Sequence, residues 1–245
     1  MIHCRRQHRS NILEKKCKVI LTISISGDLR QIALVIILTR AGLSLSFSDL
    51  KKVGRSAILM CFVPACIEMV GTIVFAPLLL GVSILDAAII GSVMAAVSPA
   101  VVVPRMIKLI ENGYGTDKRI PQLILAGASV DDVLAKRLSI KYNKLWLGAE
   151  IFLFVLVGIA VDLKYALAAG VVAILLVILA LVFRMIGVAL SLVKTKLNKK
   201  ERLFCALAYT PKATVQAALG TVPLAMGLSC GEIVLTVAVI SVLIT

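Results

Sequence analysis

The chain has 245 residues, 60% of them hydrophobic and 16% charged, with a mean hydropathy of +1.03. A soluble domain carries about a quarter of its residues as charges, so this composition excludes one. It predicts an all-α polytopic membrane protein whose core is helix packing in lipid. The net charge of +14 falls in short clusters between apolar stretches, the pattern of cytoplasmic loops rather than of a nucleic-acid-binding surface.

Residues 1–27 read as a basic N-terminal tail. Arg5, Arg6, Arg9, Lys15, Lys16 and Lys18 stand there against Glu14, with no clear cleavage pattern. Asp28 caps a first helix to about residue 45. After Lys51, Lys52 and Arg55, a second helix runs over 56–80 and contains Pro64 and Glu68. A third begins near Ile84 and holds Ala95-Ala96-Val97-Ser98-Pro99-Ala100-Val101-Val102-Val103-Pro104. Four basic residues occupy the loop 105–119. The next apolar segment starts at Pro121, a favoured first helical position, and stops at Ala135, about 21 Å at helical rise. It carries Asp131 and Asp132. A basic stretch fills 136–144, a fifth helix spans 145–161 and a sixth spans 166–193 with Arg184 inside. The loop 194–202 is strongly basic. A seventh helix holds Ala206-Leu207-Ala208-Tyr209-Thr210-Pro211-Lys212-Ala213-Thr214-Val215-Gln216, and a last covers 231–245. The expectation is about seven to eight transmembrane helices. The six cysteines form no CxxC pair, and His3 and His8 both lie in the tail. The sequence calls for no metal site, no cofactor and no disulfide framework.

The two halves resemble each other. Ala41-Gly42-Leu43-Ser44-Leu45-Ser46 aligns with Val157-Gly158-Ile159-Ala160-Val161-Asp162 at an offset of 116, and at that offset Glu68 falls on Arg184. Ser98-Pro99-Ala100 aligns with Thr210-Pro211-Lys212 at an offset of 112. Such repeats mark secondary transporters, with the site between the halves. Pro99 and Pro211 each remove a backbone donor and push the preceding residue out of helical geometry. Both helices should break there and leave free carbonyls facing the centre, which is tolerated only inside protein or against a water-filled cavity. Glu68 and Arg184, equivalent in position and opposite in charge, should meet near the pseudo-two-fold axis as a buried ion pair. A carboxylate at bilayer depth costs about 2.5–3.5 kcal/mol on insertion scales, so Asp131 and Asp132 read either as the wet end of a helix or as an ion site, and the paired breaks favour the ion site. Adjacent residues sit about 100° apart on a helix, so the two do not face one ion equally.

Ser98-Pro99-Ala100-Val101-Val102-Val103-Pro104, Gly127-Ala128-Ser129-Val130-Asp131-Asp132 and Pro211-Lys212-Ala213-Thr214-Val215-Gln216-Ala217-Ala218 together resemble the cation:proton antiporters, nearest the two-aspartate type of the sodium/hydrogen-exchanger domain. The resemblance covers 27–134 and 135–245. It implies that Asp132 binds either a monovalent cation or protons, with Asp131 as its supporting neighbour. Ser98, Pro99, Thr210, Pro211 and Lys212 then line two crossing broken segments, and Arg184 takes a position where a basic residue is typical. It implies exchange of Na+ or Li+, with K+ as a further candidate, for H+, by an elevator movement of one half. A homodimer in the lipid of a plasma or inner membrane is the expected setting. The domains follow as the tail 1–27, a first repeat over 28–135 and a second over 136–245.

The chain departs from that family in helix number. A typical member has about a dozen. One helix before Gly27 and about three between Val133 and Lys136 are missing, and the end is short after Thr245. The loop charges show the same defect. If the Asp131/Asp132 segment spans, the basic stretches 105–119 and 136–144 lie on opposite sides. If it does not, the tail lies outside against its charge. The expectation is therefore an incomplete antiporter fold, internally deleted or fragmentary. Two other readings stand beside antiport: a non-transporting remnant, and a cation or proton channel. An enzyme is not expected. No nucleophile–base constellation or phosphate-binding glycine loop is present, and Ser98 and Thr210 have no histidine near them in sequence.

Overall fold

The computed structural model describes Ile32, residues 55–128, and all of 151–245 except 152, 156, 160 and 162. Asp131, Asp132, the basic stretch 136–144 and nearly all of the first expected helix lie outside the described residues. Among the described residues, every regular element is a helix. They are α1 (Arg55–Leu80), α2 (Ile84–Ala95), α3 (Pro99–Glu111), α4 (Ile120–Ala128), α5 (Leu163–Ser191), α6 (Lys199–Ala208), α7 (Thr214–Gly220), α8 (Val222–Ala225) and α9 (Gly231–Ile244).

By length and composition, α1 and the Gly170–Ser191 part of α5 can each cross a bilayer. They lie antiparallel along one another. Ser191 Oγ donates to the Leu59 carbonyl at 3.3 Å, Glu68 meets Arg184, and Ala76 packs in one cluster with Ala173, Leu176 and Val177. Two glycines set how close the helices come. A Cβ on Gly71 would sit 2.5 Å from the Phe183 ring, and one on Gly187 would sit 2.6 Å from Pro64 Cα. Small residues at such contacts let membrane helices pack by van der Waals contact where no hydrophobic drive operates between them. The glycines stand three residues after Glu68 and Arg184 respectively, so each repeat brings its own charge and its own notch to the crossing.

The third and seventh expected helices are each broken in two. α2 ends at Ala95, Ala96 (ψ 144°) and Ser98 (φ −85°, ψ 108°) are extended, and α3 opens at Pro99. α6 ends at Ala208, and α7 starts only at Thr214. With 12 and 13 residues, α2 and α3 are about 18 and 20 Å long. Neither crosses the roughly 30 Å hydrocarbon layer alone, and the two in series do.

Among the described residues the core lies in three clusters, two of them on either side of the breaks and a third of Leu153, Val157, Ala217, Ala218 and Leu235. Of the first two, one holds Ala57, Met106, Ile120, Leu192 and Cys205. The other holds Ala76, Ala87, Ala173, Cys230 and Val234. At the first end, Lys118 Nζ binds both oxygens of Glu201 at 2.8 and 2.9 Å. Glu201 also closes the α6 capping box with Asn198, a reciprocal pairing that satisfies two orphan amides. The basic segments 105–119 and 194–202 and Arg55 therefore share one end, whereas Asp86 and Glu232 sit in the first turns of α2 and α9 at the other. Among the described residues the excess of Lys and Arg lies at the first end, the side such an excess assigns to the cytoplasm. On that assignment α1 runs outward and α5 inward, and α2–α3 and α6–α8 are likewise opposed. This is the inverted arrangement of repeat transporters, with 105–119 and 194–202 on one side, while 136–144 lies outside the described residues.

Candidate functional site

The site grows out of a backbone problem. The last four carbonyls of a helix have no partner within it, and in hydrocarbon no water supplies one. α2 ends in the middle of the protein, so the carbonyls of Val93, Met94, Ala95 and Ala96 need donors. The sequence alone predicts that such carbonyls face the centre free. In the structure they are taken by three side chains of the second repeat. Arg184 donates through Nη2 to Ala95 and, at 3.4 Å, to Met94. Lys212 Nζ donates to Met94. Gln216 Nε2 donates to Ala96 at 2.6 Å and reaches Val93 at 3.4 Å.

Glu68 joins these donors from α1. Its Oε2 accepts from Arg184 Nε and pairs with Nη2. Its Oε1 lies 2.8 Å from Lys212 Nζ as an ion-pair contact, outside the angles of a directed hydrogen bond. Arg184 Nη1 also donates to the Tyr209 carbonyl at 3.3 Å, beside the second break. Glu68 is 0%, Arg184 1% and Lys212 2% exposed. One carboxylate thus serves two fully buried cations, and among the described residues the cluster keeps one positive charge in excess.

The breaks touch directly. The Ser98 amide donates to the Pro211 carbonyl at 3.0 Å. Ser98 Oγ is buried with no hydrogen-bond partner among the described residues. The Lys212 amide is held by Thr245 Oγ1 at 2.9 Å. Thr210 Oγ1 turns back onto the Leu207 carbonyl at 2.8 Å and takes no part in the cluster. Of the residues singled out in sequence, Glu68, Arg184, Lys212, Ser98 and Pro211 come together here. Pro99 opens α3 beside them. Asp131 and Asp132, three and four residues past the last described position of α4, lie outside the described residues. A cavity of about 320 Å³ lies on the basic-end side of the breaks, lined by Met60, Pro64, Ala95, Val97, Arg184 and Tyr209 among others. The Tyr209 hydroxyl lies 3.5 Å from the Ile124 carbonyl of α4.

Two crossing breaks in opposed repeats, joined around buried charge, are the architecture of a transporter. A family model described as "Sodium/hydrogen exchanger, transmembrane" matches residues 11–136 and 124–245. The chain belongs to the sodium/hydrogen exchanger family. It is an integral, multi-pass membrane protein of a transporter family. Among curated relatives of this chain, the sodium/hydrogen exchanger 9B2 of Bison bison bison is 46% identical over 110 residues, which is 45% of this chain and 21% of that protein. The 9B2 exchanger of Homo sapiens is 44% identical over 110 residues, covering 45% and 20%. The 9B1 exchanger of Mus musculus is 42% identical over the same length and shares. The matched part of the chain spans about a fifth of the length of these relatives. Among solved structures, the sodium proton antiporter MjNhaP1 from Methanocaldococcus jannaschii aligns with a TM-score of 0.68 at 16% identity, over 91% of this chain and 85% of that one. That likeness shows the fold.

Sequence reasoning missed three features. Lys212 was expected as lining and is in fact the second cation on Glu68. Gln216 stood inside a quoted motif without a role, although a glutamine in an apolar run is itself a signal that a buried group needs partners. Gly71 and Gly187 repeat at the same offset of 116 as Glu68 and Arg184, which aligning the two halves makes visible.

Proposed function

We propose that the chain is a monovalent cation:proton antiporter, exchanging Na+ or Li+, with K+ as a further candidate, for H+ by secondary active transport. The observation that carries the reading is the contact of the two breaks, Ser98 to Pro211, around Glu68, Arg184 and Lys212. Asp132 is the cation and proton carrier, and Asp131 supports it. Two arguments favour this assignment. The cluster's spare positive charge calls for a second carboxylate, since a buried unpaired charge costs several kcal/mol. The segment that leads to Asp132 also reaches the site, since the Tyr209 hydroxyl at the second break lies 3.5 Å from the Ile124 carbonyl of α4. A proton and a sodium ion then compete for the same carboxylate oxygens, and the orphan hydroxyl of Ser98 is a ready ligand or proton partner. The cavity beside Arg184 supplies access from the basic end.

The tail 1–27 lies outside the transport unit, and residues 28–135 and 136–245 are the two repeats. The working form is a homodimer in membrane lipid. The chain is a transporter and carries out no covalent chemistry. In vesicles holding the purified chain, an imposed sodium gradient should drive proton movement that saturates with sodium and stops without it. Proton flux that needs no counter-ion would sink antiport in favour of a channel.

A further inference from the structure

One buried polar residue at the breaks bonds only to backbone among the described residues. Gln216 sits in the first turn of α7 and is wholly buried. Its carboxamide spans both breaks at once. Through Nε2 it donates to the Ala96 and Val93 carbonyls at the end of α2. Through Oε1 it accepts the Ala213 amide, at 3.0 Å, at the start of α7.

This job has narrow chemical requirements. It needs two donors, one acceptor and no charge, because Arg184 and Lys212 already place two cations on the same carbonyl end against one carboxylate, Glu68. A carboxamide has that inventory. A lysine has no acceptor, and an ionised carboxylate has no donor. Without the carboxamide the Val93 carbonyl loses a donor and the Ala96 carbonyl loses its side-chain partner at the edge of the cavity. Lys212, on Met94 one carbonyl from Val93, is drawn toward the freed Val93 carbonyl, so its hold on Glu68 loosens and the two breaks lose register.

We propose that Gln216 is a positioning residue for exchange, a neutral clamp that locks the end of α2 to the start of α7 so that Lys212 stays on Glu68. Its part in exchange rests on the antiport reading, whereas the clamp itself does not. A clamp that sets register without touching the ion governs how much of the protein is binding-competent, and apparent affinity falls in proportion to that fraction. Its loss therefore raises the sodium KM and leaves the maximal rate largely intact.

The test compares Gln216→Met, which fills the space without polar atoms, with Gln216→Asn, which keeps a neutral carboxamide one methylene shorter, in the full chain. The Met variant should melt roughly 2–8 °C lower in detergent and raise the sodium KM about ten-fold. The Asn variant should lie between Met and wild type in both. A Met variant with wild-type melting and wild-type KM overturns the proposal, and so does an Asn variant that is no better than Met. If the wild-type chain exchanges nothing, the antiport reading is what fails, and the melting comparison still decides the clamp.

Discussion

Replacing Glu68 by glutamine should be the most damaging single change at the centre of the protein. The carboxamide would keep the shape and lose the one anion that Arg184 and Lys212 contact among the described residues, both of them buried. Breaking a buried pair in this way costs about 3–5 kcal/mol. For a chain of this size that is roughly 6–20 °C of melting temperature, at about 2–4 °C per kcal/mol. Removing a cation is different, because Glu68 keeps a partner. Arg184→Gln leaves the Glu68–Lys212 pair but strands the carbonyls of Ala95 and Tyr209, at about 1–3 kcal/mol for each buried group left unpaired. Lys212→Gln leaves the Glu68–Arg184 pair, and the Met94 carbonyl still has Arg184, so it should cost about 1 kcal/mol. The order is Glu68, then Arg184, then Lys212. The double variant Glu68→Gln/Lys212→Gln should cost less than the sum of its singles by roughly 1–3 kcal/mol. Circular dichroism of the purified protein, heated at one fixed rate, reads all four. A Lys212→Gln protein as unstable as Glu68→Gln, or a strictly additive double variant, would refute the shared carboxylate.

The helix crossing makes its own prediction. Gly187→Ala drives a Cβ to 2.6 Å from Pro64 Cα and 3.1 Å from Pro64 N. These are backbone atoms that cannot turn aside, so the helices must part, at about 1–3 kcal/mol. Gly71→Ala meets only the Phe183 ring, a side chain that can swing, and should cost less in the same melting assay. At the basic end, Glu201 is held below the usual carboxylate range, chiefly by the hydrogen bond from Lys118 and then by the Asn198 amide. A lowered folded-state value means that the stabilisation is present at neutral pH and lost as pH falls through that value. Glu201→Gln should therefore differ from wild type at neutral pH and low salt. It should converge with it in acid and, because the pair is exposed, in high salt, as a melting series over pH and NaCl would show.

Much of this centre was legible in the chain because prolines and charges declare themselves. Pro99 and Pro211 lack the amide that a continuous helix needs, and both helices are broken at them. Glu68 and Arg184 hold equivalent places in opposed repeats, which is why an offset of 116 puts them in contact. What could not be read were the partners that are backbone. Nothing in the identity of Val93, Met94, Ala95 or Ala96 announces that their carbonyls will take Gln216, Lys212 and Arg184. That follows only once α2 is seen to end inside the protein. Lys212 escaped for a second reason. It aligns with Ala100, a residue without charge, so the symmetry that pairs Glu68 with Arg184 is silent about it. The sidedness of 105–119 and 194–202 likewise needed Lys118 and Glu201 to be seen in contact across 83 residues of chain.

The central claim is that Asp132 carries the exchanged ion beside the crossed breaks. Its most direct test is sodium-driven collapse of a pH gradient in vesicles carrying this chain, beside an Asp132→Asn version inserted and folded to the same level. The account predicts that sodium moves protons through the wild-type chain and that the Asn version does not. Proton movement that survives in the Asn version would contradict the assignment of the carrier. No movement in either would make the chain a folded exchanger remnant that does not transport.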